Sequence, residues 1–188
     1  MQENRRVRMT KRCMKDALLE LLDKMPLNKV SVTDICNTAD VNRSTFYAYY
    51  NDIEALLSEI ETEALAQIPV NIDPEEIGYE GNLLNKLEIF FNYIQSNEKI
   101  YRILMFQSGE RDFNNKLVSF ILGHYKNSTP VSDKLLAKYS CIYCINGVIG
   151  LVKEWIQDGF PIPTKQFAKL VLQMSIQAIE IEGINHIE

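Results

Sequence analysis

Apolar residues recur along this chain at helical spacing almost throughout, and nowhere in the sustained alternation of a half-buried strand. The first run sets Met14, Ala17, Leu18, Leu21, Leu22 and Met25 on one helical stripe and stops at Pro26. Ser31, with Asp34 three residues on, makes a capping-box start in which the acid also favours the positive helix terminus. Val32, Ile35, Cys36 and Ala39 then form a two-turn apolar face. Beyond the non-helical Asp40-Val41, Asn42 can cap a short helix over 43–50. Asn51-Asp52 with Glu54 opens a fourth, whose Ile53, Leu56, Leu57, Ile60 and Ala64 share one side.

The periodicity lapses over 69–79, between Pro69 and Pro74, and a domain boundary is expected in or just before this stretch. Leu83, Leu84, Leu87, Phe90, Phe91 and Ile94 mark a fifth helix, and 100–106 a short sixth. Gly109 and an Asp112 cap precede a seventh that reaches Tyr125. Asn127 to Pro130 reads as a loop. A long helix is expected from about Ser132 to Asp158, ending at Gly159 with Pro161 and Pro163 barring continuation. The last helix starts near Thr164 and carries Phe167, Leu170, Val171, Met174 and Ala178 on one face. The expected fold is all-α: an N-terminal domain of three helices over 1–55 and a helical C-terminal domain over 56–188, with the fourth helix shared.

Composition supports a folded chain, since 46% of its 188 residues are apolar and only 8 glycines and 6 prolines interrupt them. The net charge of -5 argues against a basic coat protein for nucleic acid or a binder of anionic membranes. That charge is unevenly spread. The first 15 residues hold six bases (Arg5, Arg6, Arg8, Lys11, Arg12, Lys15) against one acid, residues 1–55 are net +1, and residues 56–188 are net -6. The opening residues carry no apolar run, and the longest apolar-rich stretch, Tyr139 to Val152, falls short of the roughly 20 residues a spanning helix needs. A cytoplasmic protein without membrane contact is expected, its Cys13, Cys36, Cys141 and Cys144 reduced.

A basic N-terminus alone reads equally as a solvated arm. Behind it, however, stand two short helices joined by a tight turn, the arrangement by which helix-turn-helix proteins present a helix to the major groove. In the second of these, Phe46 and Tyr50 can pin the helix to the core together with Val41. Arg43, Ser44, Tyr47 and Ala48 are left on the opposite side, with Thr45 and Tyr49 at the margins. Arginine can contact guanine with two bonds, hydroxyls reach phosphate or base edges, and a phenol can donate to phosphate. The free N–H groups of a helix start also suit phosphates. Periodicity leaves open a plain helix exposing polar residues.

The run Ser31-Val32-Thr33-Asp34-Ile35-Cys36, followed by Ala39-Asp40-Val41-Asn42-Arg43-Ser44-Thr45-Phe46-Tyr47-Ala48-Tyr49-Tyr50, resembles the DNA-binding signature of the TetR family of bacterial transcriptional regulators. The likeness covers about residues 8–60 and includes Glu54-Ala55-Leu56-Leu57. The C-terminal part matches loosely, its Gly147 to Trp155 stretch with Gly159 resembling the ending of the DhaS-type subgroup. The resemblance implies a homodimer with two DNA-binding heads and C-terminal effector-binding and dimerisation domains. It places DNA contacts at Thr33, Asn42, Arg43, Ser44, Thr45, Tyr47 and Tyr49. Two positions depart from the family pattern. Asp40 stands where the turn usually has Gly, a left-handed site that Asp can adopt at modest cost. Ile53 stands where a phosphate-contacting Lys is common, so the basic segment from Arg5 to Lys15 is expected to supply charge instead.

In the C-terminal domain, Tyr139 to Val152 is apolar nearly all round and must be buried on several sides, at the centre of its own domain or against a second subunit. Gly147 and Gly150 would admit a close helix. The resemblance favours a dimer made by the last two helices, with Gly147, Gly150, Trp155, Leu170 and Met174 as its candidates. Aromatic residues at helical spacing are first of all core; an apolar effector pocket would draw on Phe90, Tyr101, Phe106, Phe120 and Tyr143. The Cys141-x-x-Cys144 pair lacks a redox loop or a second pair for zinc and reads as core, with a thiol sensor as the minor alternative. His124 and His186 are isolated. No catalytic residue, metal site or cofactor is expected. The function that follows is a homodimeric repressor of a palindromic double-stranded operator, relieved by a small-molecule effector. The alternative is a coactivator of the same fold with weak or no specific DNA binding.

Overall fold

The computed structural model describes residues 5–69, 80–107, 110–125 and 134–180. The irregular stretch from 70 to 79, the loop from Asn127 to Pro130, the Ser132 start and His186 lie outside these residues. Among the described residues every regular element is helical: α1 (Arg5–Leu22), α2 (Val32–Ala39), α3 (Arg43–Tyr47), α4 (Ile53–Ala66), α5 (Glu80–Ser96), α6 (Glu98–Phe106), α7 (Glu110–Tyr125), α8 (Lys134–Gln157) and α9 (Thr164–Glu180), with a single 3-10 turn at Leu27–Lys29. The all-α expectation holds, and helix order follows the periodicity. Several bounds differ from it, among them the start of α6 at Glu98 and the end of α1 at Leu22. α3 stops at Tyr47, with Ala48 and Tyr49 in a turn, and α7 begins at Glu110, which puts Asp112 inside its first turn.

The chain divides into two compact units, one formed by the described residues up to Gln67 together with Lys99–Phe113, the other by Ile68–Glu98 and the described residues from Asn114 onward. α4 and most of α6 therefore pack with the N-terminal helices, so the compact body is larger than the 1–55 segment that carries the motif.

In the first unit α1 packs on α2 and α4, and α2 on α3. Met14, Leu18 and Leu22 of α1, Ile35 of α2, Phe46 of α3 and Leu56 of α4 are all fully buried. Burial of each such side chain contributes about 1.5–3 kcal/mol. Tyr101 of α6 is fully buried in the same unit, and its hydroxyl donates to the Ala64 carbonyl at 3.1 Å. The basic segment is no flexible arm: Arg5 to Lys15 form the first turns of α1.

In the second unit α9 packs on α5 and α8. Its centre is aromatic. Trp155 stacks on Phe167 with ring centroids 4.4 Å apart, and Phe91 meets Phe167 edge-on at 4.8 Å. α8 closes at Gln157 and the chain turns through Gly159 (φ +73°), the stop its sequence implied, and Phe160 follows at φ +60°. A non-glycine residue there carries strain. It is offset by a 2.8 Å bond from the Phe160 N–H to the Trp155 carbonyl and by the Phe160 ring set edge-on against Trp155 at 4.7 Å.

Candidate nucleic-acid interface

Three local devices set the geometry of α2 and α3. The Ser31 hydroxyl accepts from the Asp34 N–H at 3.2 Å while the Asp34 carboxylate accepts from the Ser31 N–H at 3.0 Å, a reciprocal cap on α2. The Ser31 hydroxyl, donating to the Asp34 carboxylate at 2.5 Å, and then the Ser31 N–H favour the charged form of Asp34 and hold its pKa below the usual carboxylate value. Asp40 ends α2 in the left-handed region at φ 52° and ψ 48°, so the turn is made without the usual glycine. Asn42 caps α3, its side-chain oxygen accepting from the Thr45 N–H at 2.8 Å.

With the turn so held, Phe46 and Tyr50 point inward and are buried, their rings 5.8 Å apart. Arg43, Ser44, Tyr47 and Ala48 are exposed, and Thr45 and Tyr49 are half-buried. Tyr47 is 57% exposed, yet its ring rests edge-on against Phe46 at 5.5 Å, which limits its freedom before any partner arrives. Thr33 on α2 and Arg43 on α3 are brought together, the guanidinium donating to the threonine hydroxyl. Ser44 and Thr45 hydroxyls each contact the Asn42 oxygen at 2.7 Å. The seven residues expected to touch DNA thus lie on one continuous helix-turn-helix segment with a polar, hydroxyl-rich outer face.

The surrounding charge differs from a simple count along the chain. Lys15 binds Glu59 at 2.8 Å and Glu63 at 2.5 Å, and Lys11 reaches Glu59 at 3.3 Å. Burial works against the Lys15 ammonium, but its bonds to Glu59 and Glu63 outweigh this and raise its pKa above the usual lysine value. Glu59, likewise opposed by burial, is lowered by Lys15 and Lys11. Lys11 also sits 5.6 Å from the centre of the Tyr50 ring. Two of the six cations near the N-terminus therefore tie α1 to α4. Sequence reading missed Glu59 and Glu63, because a pairing across 48 residues leaves no local signal.

Two family models match the chain: one described as the C-terminal region of transcriptional regulators over residues 81–177, and one for bacterial regulatory proteins of the tetR family over residues 16–60. The chain belongs to the TetR family of transcriptional regulators. Its C-terminal part is DhaS-like. The chain is 26% identical over 156 residues to the HTH-type dhaKLM operon transcriptional activator DhaS of Lactococcus lactis subsp. lactis, covering 80% of this chain and 81% of that protein. Two solved structures share the fold. The dihydroxyacetone kinase operon activator DhaS superposes with a TM-score of 0.59 at 19% identity, over 92% of this chain and 97% of that one. A TetR transcriptional regulator from Streptococcus agalactiae superposes with 0.67 at 20%, over 91% and 96%.

In this TetR-family chain some of the other expected site residues lie together and others lie apart. Of the effector set, Tyr101 is a core residue of the first unit, where Phe106 also belongs, whereas Phe90, Phe120 and Tyr143 belong to the second; neither unit assembles the whole set. Tyr143 is 73% exposed and lines an open groove of about 560 Å³ between α8 and α9, beside Tyr139, Gly147, Leu151 and Met174. It thus joins the dimerisation candidates. Gly147, Gly150, Leu170 and Met174 are exposed on the same two helices. Trp155, grouped with them from sequence, is instead 2% exposed in its own unit's aromatic core, its indole N–H donating to the Ile162 carbonyl at 2.9 Å. No described helix is long and apolar enough to cross a membrane.

Proposed function

We propose that this protein is a cytoplasmic, homodimeric regulator that binds a palindromic double-stranded operator through Thr33, Asn42, Arg43, Ser44, Thr45, Tyr47 and Tyr49. The observation that carries this reading is the division of α3 into a buried face, Phe46 with Tyr50 just beyond, and an outward face of Arg43, Ser44 and Tyr47. A cation with a bidentate fork, a hydroxyl and a phenol on one exposed helix face suit base edges and phosphates. The exposed groove of Tyr139, Tyr143, Gly147 and Met174 is the dimer contact, so that two heads meet half-sites about one helical turn, ~34 Å, apart. A small apolar or mixed-polarity effector, held by a domain that contains Phe90 and Phe120, favours a dimer that no longer fits this spacing and relieves repression.

A second reading is activation. It is favoured by the description of the 26% identical relative as a transcriptional activator and by the engagement of Lys11 and Lys15 with glutamates. In that case the same fold acts as a coactivator through protein contacts. A gel shift with DNA flanking the protein's own gene separates the two. Specific binding that weakens with salt and is lost in Arg43→Ala supports operator binding, whereas a purely non-specific shift supports the coactivator. A reporter under that DNA, with and without the regulator, reads the sign. Effector and operator affinities that prove mutually independent would refute coupling, since linkage is reciprocal.

A further inference from the structure

Asn42 does more than cap α3. Its side-chain oxygen lies 2.8 Å from the Thr45 backbone nitrogen, which can only donate, and this settles that the atom there is the amide oxygen. An amide oxygen only accepts. The Ser44 and Thr45 hydroxyls, each 2.7 Å from that oxygen, donate to it and share its two lone pairs with the Thr45 N–H. What each hydroxyl oxygen then offers elsewhere is lone pairs alone.

A phosphate oxygen, which also only accepts, is a poor match for such a hydroxyl. So is a keto group. In the major groove the donors are the amino groups of adenine (N6) and cytosine (N4), whereas guanine and thymine present keto oxygens. Of the two hydroxyls, Ser44 is on the exposed face with Arg43 and Tyr47, while Thr45 is half-buried. We infer that Ser44, with its proton turned inward by Asn42, selects an amino base on the strand it faces, and that Asn42 is the positioning residue for this choice. Arg43 beside it has only donors and takes the opposite preference, for guanine. Two successive residues thus read opposite polarity. The inference rests on the DNA-binding reading above and assigns the specificity of that same face. It does not involve the backbone N–H groups of α3.

The test uses the full-length protein and selection from a random double-stranded DNA library, with the wild type, Ser44→Ala, Asn42→Ala and Asn42→Asp compared. The expected result is one position per half-site where the wild type prefers adenine or cytosine by about fivefold, the equivalent of one net hydrogen bond of ~1 kcal/mol. That preference disappears in Ser44→Ala with the other positions unchanged. It relaxes in Asn42→Ala, where the hydroxyl can turn outward. It survives in Asn42→Asp, whose carboxylate still accepts both protons, although overall affinity falls. A merely structural cap would weaken binding in both Asn42 variants without altering base preference. A keto base at the Ser44-sensitive position, or no position that responds to Ser44→Ala, overturns the assignment while leaving DNA binding intact. Failure of the wild type to enrich any sequence overturns the DNA-binding reading and the assignment with it.

Discussion

The Arg43 guanidinium donates a hydrogen bond to the Thr33 hydroxyl, joining the two helices of the helix-turn-helix at the face expected to meet DNA. A fork anchored at one nitrogen loses less freedom when its remaining N–H groups meet a base. Arg43→Ala is expected to weaken binding to a selected operator by about 1–3 kcal/mol and relax the choice of one base pair. Thr33→Val keeps the side-chain shape and removes the acceptor. It should reduce discrimination at that same base pair by roughly 0.5–1 kcal/mol, read by fluorescence anisotropy against single-base operator variants. Uniform weakening across all variants would show that Thr33 contacts phosphate instead.

The Lys11, Lys15, Glu59, Glu63 network sets affinity against stability. In Glu59→Gln with Glu63→Gln the opposing carboxylate charges beside Lys11 and Lys15 are removed, which strengthens the positive field of this face toward phosphates. DNA affinity should rise and the dependence of log K on log salt steepen by about 1–2. The isolated protein should lose about 0.5–1 kcal/mol, since these pairs are only partly shielded from solvent. An unchanged salt slope would mean that Lys11 and Lys15 face away from DNA.

The same network makes stability depend on pH in a definite sense. Glu59 is held below its ordinary value of 4.5, so its contribution is present above that pH and is lost as pH falls through the lowered pKa. Lys15 is held above 10.5, so its contribution is present below that pH and is lost as pH rises through the raised pKa. Thermal melts between these limits should be flat with respect to the network. Glu59→Gln should make the acid limb shallower, and an unaltered acid limb would place its origin elsewhere.

Gly147 separates folding from association. A Cβ built at this position meets nothing within 4 Å in the protomer, and alanine favours a helix over glycine by about 1 kcal/mol. Gly147→Ala should therefore raise protomer stability while weakening self-association through the α8 and α9 groove. Sedimentation over a range of concentrations reads the second effect. Stabilisation with no change in association would remove this groove as the dimer contact.

Burial, with Cys144 nearby as a smaller contribution, pushes the Cys141 thiol up to about 11, where little nucleophilic thiolate exists near neutrality. Cys36 is raised as well, by burial partly countered by Arg43, whereas Cys13 is exposed. Alkylation with iodoacetamide at about pH 8, followed by peptide mass spectrometry, should label Cys13 first and Cys141 among the last. Rapid labelling of Cys141 would revive the thiol-sensor alternative.

The helices were legible because each carries its apolar stripe, its cap and its stop in adjacent residues: Ser31 with Asp34, Asn42 before Arg43, Gly159 ahead of Pro161. The outward set on α3 was legible for the same reason, since burial of Phe46 and Tyr50 leaves little choice about where Arg43 and Tyr47 point. The C-terminal groupings were less so. Trp155 and Tyr143 both lie on the long α8, and its nearly uniform apolar surface does not tell which side faces its own core and which faces outward.

Local chemistry along the chain was sufficient for the all-α fold, the order of its helices and the helix-turn-helix face, because those depend on neighbours within about four residues. The tertiary structure decided what depends on distant partners. It showed that Lys11 and Lys15 are engaged by Glu59 and Glu63, that Trp155 belongs to the core and Tyr143 to an open groove, and that Tyr101 packs under α4. A charge or an aromatic ring reads the same in sequence wherever it ends up; only the packing of helices distant in sequence determines what it meets.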